Sequence, residues 1–147
     1  MLKNKISPLF EYVILFIIGG LGYNIIELLY RGYTDPTMTI AGGICFILCG
    51  IQNEFVNWDM PLVSQQLISA ILVTIVELIF GLIFNIGLGM EVWDYSNMPY
   101  NFMGQICLLF TVLWFFLSLV GIFLDDFLRY KLFGEEKPHY VIFGYKR

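Results

Sequence analysis

Apolar residues gather into four long runs along the chain, separated by short polar stretches. The first extends from about Leu9 to Tyr30 and is broken by Glu11, Asn24 and Glu27. The second, about Met38 to Asn53, is shorter and carries Gly42, Gly43 and Gly50. It follows Asp35-Pro36, a pair that suits a turn with proline in the first helical turn. The third runs from Leu62 to Leu88 after Met60-Pro61, and the fourth from about Phe102 to Leu132. A hydrocarbon layer about 30 Å thick is crossed by roughly 20 apolar residues in helical form. The pattern predicts an all-α fold, a polytopic transmembrane helical bundle of about four helices. Its spans fall at about 9–30, 38–53, 62–88 and 102–132 within a single domain over residues 1–147.

Polar positions inside the runs recur at helical spacing. In the third run Gln66, Ala70, Thr74, Glu77, Gly81 and Asn85 follow steps of three and four, so they share one helix face. A carboxylate near mid-span costs roughly 2.5 kcal/mol or more. Glu77 is therefore expected to be protonated, paired, or turned toward water inside the bundle. Ala70, Gly81 and the Thr74 hydroxyl would let another helix approach closely. A shorter stripe in the first run holds Gly20, Asn24, Glu27 and Arg31, with Glu27 and Arg31 spaced for an ion pair. The fourth run shows Thr111, Ser118, Asp125 and Arg129, the last two again one turn apart, and Glu54 closes the second run.

Two readings of these groups stand side by side. In one they form a proton- or cation-linked path or a polar substrate cavity, with Glu77, Thr74, Gln66, Asn85, Glu27 and Asn24 as intramembrane candidates. In the other the carboxylates pair with Arg31, Arg129 or amides and fix helix register. The neighbouring arginines favour pairing for Glu27 and Asp125. Asp126, Glu135 and Glu136 are expected to be solvated.

Composition changes the picture in one respect. Of the 147 residues, 59% are hydrophobic and 14% charged, and mean hydropathy is +0.77. A soluble domain carries roughly 25% charged residues, so no soluble domain is expected. Charge then sets orientation, because lysine and arginine resist translocation. Lys3, Lys5, Arg129, Lys131, Lys137, Lys146 and Arg147, seven of the eight basic residues, flank the first and fourth runs. With an even number of spans both ends are expected in the cytoplasm, as a multi-pass protein of the plasma (inner) membrane. Only Arg31, in the first loop, falls outside, and the loop that holds Trp93-Asp94-Tyr95-Ser96 is expected to be external. The first run lacks a small-residue cleavage site and is read as a retained span. Trp93, Tyr95 and Tyr100 at one interface, and Trp58, Tyr130 and Tyr140 at the other, suit aromatic belts.

Cys45, Cys49 and Cys107 lie inside apolar runs, odd in number and without a metal-binding pair, so they are expected to be small packing residues. The halves resemble each other weakly: Ile26–Tyr30 parallels Val76–Phe80, and Ala41–Phe46 parallels Met103–Leu108. That order predicts a 2+2 parallel internal repeat. No phosphate-binding glycine loop, GxSxG or HExxH pattern occurs, and His139 has no partner in sequence for a metal or a triad. The chain is expected not to be an enzyme and to use no cofactor, metal or nucleic acid. Its basic tail suits anionic lipid headgroups.

The sequence Val76-Glu77-Leu78, followed by Val92-Trp93-Asp94-Tyr95-Ser96, Pro99-Tyr100-Asn101 and Gly104-Gln105-Ile106-Cys107-Leu108, resembles the putative ABC-transporter type IV family of CmpB-like permeases. The likeness is strongest over residues 71–126 and weaker over Ile26 to Gly50, where longer members carry more chain. The resemblance implies a permease working with a separate ATPase subunit. It carries over Glu77, Trp93, Asp94, Tyr95, Ser96, Asn101 and Gly104. From the residues themselves, Asp94 and Ser96 are expected to cap the outer loop onto the start of the fourth helix.

Three functions are compatible with this pattern. One is a small permease or transport-associated subunit, acting as a homo-oligomer or in a membrane complex, with Glu77 on its path. A second is a non-transporting scaffold that binds a partner through the outer loop. A third is a stand-alone proton-coupled exporter or ion channel.

Overall fold

The computed structural model describes residues 6–55 and 60–142. Expectations placed on Lys3, Lys5, Trp58, Lys146 and Arg147 lie outside the described residues. Four helices make up most of the chain: α1 (Pro8–Arg31), α2 (Pro36–Phe55), α3 (Leu62–Phe80) and α4 (Leu108–Leu132). Gly81–Gly87 prolongs α3 as a wider π-helical segment. A short antiparallel hairpin, β1 (Asn101–Phe102) with β2 (Ile106–Cys107), precedes α4.

Local chemistry sets the helix ends. Ser7 caps α1, its hydroxyl accepting from the Phe10 N–H at 3.4 Å, and Pro8 needs no partner at the first position. Gly32, at φ 78°, ends α1 in the left-handed region that glycine adopts without strain. Asp35 starts α2, its carboxylate accepting from the Thr37 N–H at 2.9 Å and hydroxyl at 2.6 Å. Pro8–Arg31, Leu62–Gly87 and Leu108–Leu132 are each long and apolar enough to cross a membrane. The apolar part of α2 is shorter, yet its 20 residues rise about 30 Å. Thr39 near its start bonds Asn24 of α1 at 2.9 Å, while Gly50 near its end abuts Asp125 late in α4. The helix thus runs the height of the bundle.

The fourth helix starts later than the hydrophobic run suggests, at Leu108 rather than Phe102. Tyr100 and Met103 (φ 53° and 54°) and Gly104 (φ 70°) all turn left-handed. The hairpin they shape takes up the first part of the run. This finding also corrects the repeat: Gly42-Gly43 lies inside a helix, whereas Gly104-Gln105 lies in a turn.

Packing differs between the helix pairs. α1 and α2 meet through glycine. A Cβ on Gly20 would stand 2.7 Å from the Thr39 carbonyl oxygen, and one on Gly43 2.8 Å from that of Phe16. Small residues allow such backbone approach where lipid offers no hydrophobic drive. Polar bonds join the other pairs. Gln52 donates to Ser69 at 2.6 Å between α2 and α3. Between α3 and α4, the Thr74 and Thr111 hydroxyls lie 3.0 Å apart and Gln66 donates to the Phe115 carbonyl at 3.1 Å. One apolar cluster (Met38, Val92, Trp93) sits under the loop before α4, and another (Cys49, Leu62, Ile122) at the opposite end.

The start of α1 and the end of α4 share that opposite end, where the Arg129 guanidinium lies 5.3 Å from the Tyr12 ring centre. The tail folds back there, with Val141 accepting from the Leu62 N–H at 2.6 Å. Tyr140 packs on Phe123 and donates to Asp126 at 2.7 Å. Asp126 is 3% exposed, not solvated as its place near a helix end suggests, because the tail covers it. Glu135 is likewise drawn in, 3.6 Å from Arg129.

Because the atoms facing Gly20 and Gly43 are backbone, Gly20→Val or Gly43→Leu should destabilise the protein by about 1–3 kcal/mol. At Gly22 an added Cβ meets nothing within 4 Å, so Gly22→Ala should stabilise by about 0.5–1 kcal/mol. Thermal unfolding in detergent reads both, and the opposite signs are the check.

Candidate functional site

Glu77 lies in α3, 8% exposed, and its carboxyl group has two donors from distant parts of the chain. The Tyr95 hydroxyl, from the loop before α4, donates at 2.8 Å, and the Trp114 indole N–H, from α4, donates at 3.2 Å. Burial, then the nearby carboxyl, push the Tyr95 phenol above its ordinary value, which keeps it a donor. The Tyr95 ring stacks on Phe110 at 4.7 Å, and Trp114 tilts against Tyr23 at 6.2 Å. The outer loop therefore dips into the bundle and fastens to α3 and α4.

The rest of the α3 stripe faces the same neighbours. Gln66 and Ala70 are buried and Thr74 meets Thr111. Gly81 lies against Gln105, and a Cβ there would stand 2.5 Å from the Gln105 Oε1. Asn85 donates to that oxygen at 2.8 Å and accepts from the Val92 N–H at 2.7 Å. The widened π-helical turns position Asn85 for both bonds. Such segments often occur at functional sites.

The loop motif is arranged differently from its sequence expectation. Trp93 is 8% exposed and turned inward, its indole donating to the Gln105 carbonyl at 2.9 Å. It is therefore not on the surface, Tyr95 is half-buried, and Tyr100 is 83% exposed. Asp94 does not cap α4. Its Oδ1 accepts from the Ser96 N–H at 2.8 Å and from the Ser96 hydroxyl, closing a local turn. Those bonds hold its carboxyl below the usual range. Cys107 precedes α4 without a side-chain cap. Asn101 donates to Met98 at 2.8 Å and accepts from the Gly104 N–H at 3.0 Å, fixing the left-handed turn.

Beside this loop, Glu27 pairs with Arg31, which also donates to the Val92 carbonyl at 2.9 Å. Asn24 accepts from Thr34 and Thr39, each at 2.9 Å. These groups tie α1 to α2 and to the loop, while Glu77 ties the loop to α3 and α4. At the far end, Asp125 is fully buried and accepts from the Arg129 Nε at 2.8 Å. Arg129 also stands 3.7 Å from Glu54.

Sequence reasoning missed Trp114, Gln105 and the Gln52–Ser69 bridge. Trp114 had a usable signal, since it falls on the helical face shared by Thr111 and Ser118. Gln105 and Ser69 find their partners through tertiary folding, which no local pattern encodes.

A family model described as Putative ABC-transporter type IV matches residues 14–142. The chain belongs to that family. No curated protein and no solved structure matches it. The match places this member of the Putative ABC-transporter type IV family among transport-related membrane proteins and extends over all four helices.

Two predictions follow from these contacts. Tyr95→Phe removes a donor from a buried carboxyl group and should cost about 1–3 kcal/mol in thermal unfolding. Burial and the neighbouring Glu54 carboxyl push Glu135 up to about 7, against the pull of Arg129. The folded protein thus holds this proton more tightly than the unfolded chain. Its contribution is fully present below the ordinary carboxylate value and is lost as pH rises through about 7. Glu135→Gln should flatten the fall in unfolding temperature between about pH 5 and pH 8.

Proposed function

We propose that the protein is a small permease or transport-associated subunit whose path passes Glu77, with both chain ends in the cytoplasm of the plasma (inner) membrane. One observation carries this reading. A mid-helix carboxyl group that could have been apolar is kept in the bundle, gripped by a loop phenol and an α4 indole, on the wall of a cavity. Intramembrane ionisable groups mark substrate or ion paths, and the family match supports a transport setting. The loop acts as an outer gate: opening it requires Tyr95 to leave Glu77.

The subunit carries out no bond-breaking chemistry itself. ATP hydrolysis belongs to a separate ATPase that docks on the cytoplasmic end near the exposed Lys131 and Lys137. Four helices enclose little space, so a homo-oligomer or a larger membrane complex completes the path.

Gentle solubilisation from native membranes, with cross-linking before purification, should recover an ATPase with the wild-type chain. Glu77→Gln should keep membrane insertion and ATPase recovery while abolishing ATP-driven transport in reconstituted vesicles. An amide variant that transports normally overturns the assignment.

A second reading rests on the exposed loop tip, where Tyr100, Phe102 and Met103 are 83%, 55% and 56% exposed. There the loop is a docking tip for a membrane partner. In that case Tyr100→Ala releases the partner and Glu77→Gln does not.

A further inference from the structure

Two cavities adjoin beneath the loop before α4, and one of them continues down the bundle to Cys49 and Leu124. One, about 180 Å³, is an apolar groove between α1 and α4, lined also by α2 and α3. The other, about 410 Å³, lies under the outer loop and is lined by charged and aromatic side chains. They share Tyr23, Met38, Trp93 and Trp114 as a common wall. α1 reaches α4 through the side-chain contacts Tyr23–Trp114 and Tyr12–Arg129, at two different heights. The groove has exposed rims, Ile26 on α1 and Val120 and Leu124 on α4. It opens sideways, where a transmembrane protein meets lipid.

The charge of the upper cavity is one-sided. Arg31 is its cation, already paired with Glu27 and lying 4.6 Å over the Tyr33 ring. Glu91 and Asp94 remain at the mouth, both exposed, and Glu77 lies at the wall of the groove below. The walls between are aromatic residues, Tyr23, Trp93 and Trp114. The π face of such a ring attracts a cation and repels an anion.

We propose that the joined cavities bind a lipophilic organic cation. Its apolar body lies in the groove between α1 and α4, and its positive centre sits among Tyr23, Trp93 and Trp114, below the mouth carboxylates. A neutral hydrocarbon would fill the groove and leave the acidic mouth unused. A phospholipid would bring its phosphate against Glu91 and Asp94, where the one arginine is already engaged. The inference deepens the transport reading by naming its substrate class, and rests on it.

Gly22 supplies the test. It lines the groove, and a Cβ there meets nothing within 4 Å, so Gly22→Phe has room for its first side-chain atom and places a ring in the groove. The full chain is placed in lipid nanodiscs and binding of tetraphenylphosphonium is measured by equilibrium dialysis against empty discs. Tetraphenylborate, the same shape with opposite charge, is the comparison and needs no variant. The expected result is saturable binding of the phosphonium and no competition by the borate. Binding should weaken about tenfold or more in Gly22→Phe and in Glu77→Gln. Leu29→Phe, on the exposed flank of α1, should bind as the wild type does. Equal binding of the borate, or full binding by a folded Gly22→Phe, overturns the proposal. So does phosphonium binding that vanishes when glycerol headgroups are replaced by choline headgroups, which would make the groove a lipid site. A chain that recovers its ATPase and transports, yet ignores the phosphonium, loses this inference and keeps the transport reading.

Discussion

In hydrocarbon a carboxyl group has no water to turn to, and Glu77 obtains its hydrogen bonds from two elements that would otherwise be independent. The Tyr95 hydroxyl comes from the outer loop and the Trp114 indole from α4. Neither donor can be supplied locally, because the helical backbone of α3 uses its own N–H groups. The need to satisfy this one group thus fixes how the loop enters the bundle and where α4 stands beside α3. Much else in the outer half follows. Trp93 is drawn beneath the loop onto Met38, Asn85 and Gln105 pair behind it, and Arg31 closes the seam to Val92.

The two halves of the molecule solve the packing problem in opposite ways. α1 and α2 use absence: glycines let their backbones approach until neighbouring carbonyls touch. α3 and α4 use polar bonds, Thr74 to Thr111 and Gln66 to Phe115. Both devices hold helices together where lipid offers no hydrophobic drive between them. The glycine-packed hairpin and the hydrogen-bonded pair meet at α2. The side of the bundle where α1 and α4 face each other is held by side chains alone.

The helices were legible in the sequence because hydrocarbon thickness and backbone satisfaction leave few choices for an apolar run. The α3 stripe was legible for the same reason, since helical spacing alone puts Gln66, Thr74, Glu77 and Asn85 on one face. What they touch was not. Gln105 and Tyr95 reach the stripe through a hairpin whose left-handed residues Tyr100 and Met103 carry no glycine signature. The start of α4 was misplaced because Phe102 and Ile106 are as apolar as the helix that follows, and only the turn chemistry separates them. Asp126 was misjudged because the Tyr140 that covers it comes from a tail with no periodic pattern.

The inner end shows what the family's transport setting asks of such a bundle. Asp125 is fully buried and tucked against Gly50 of α2, which has no side chain to exclude it. Arg129 links that carboxylate to Glu54 at the end of α2 and to Glu135 in the tail. A charge buried this deeply is costly unless its partners stay in place. Motion of the tail reaches Asp125 through that guanidinium, and motion at the end of α2 reaches it both through Arg129 and directly at Gly50. The outer end is built on the same plan, with Arg31 joining Glu27 to the loop. Each end of the bundle places one arginine between a buried carboxylate and a segment outside the helices. A displacement of the tail and a ligand arriving under the loop before α4 would thus act on matching devices, with α2 as the helix that runs between both.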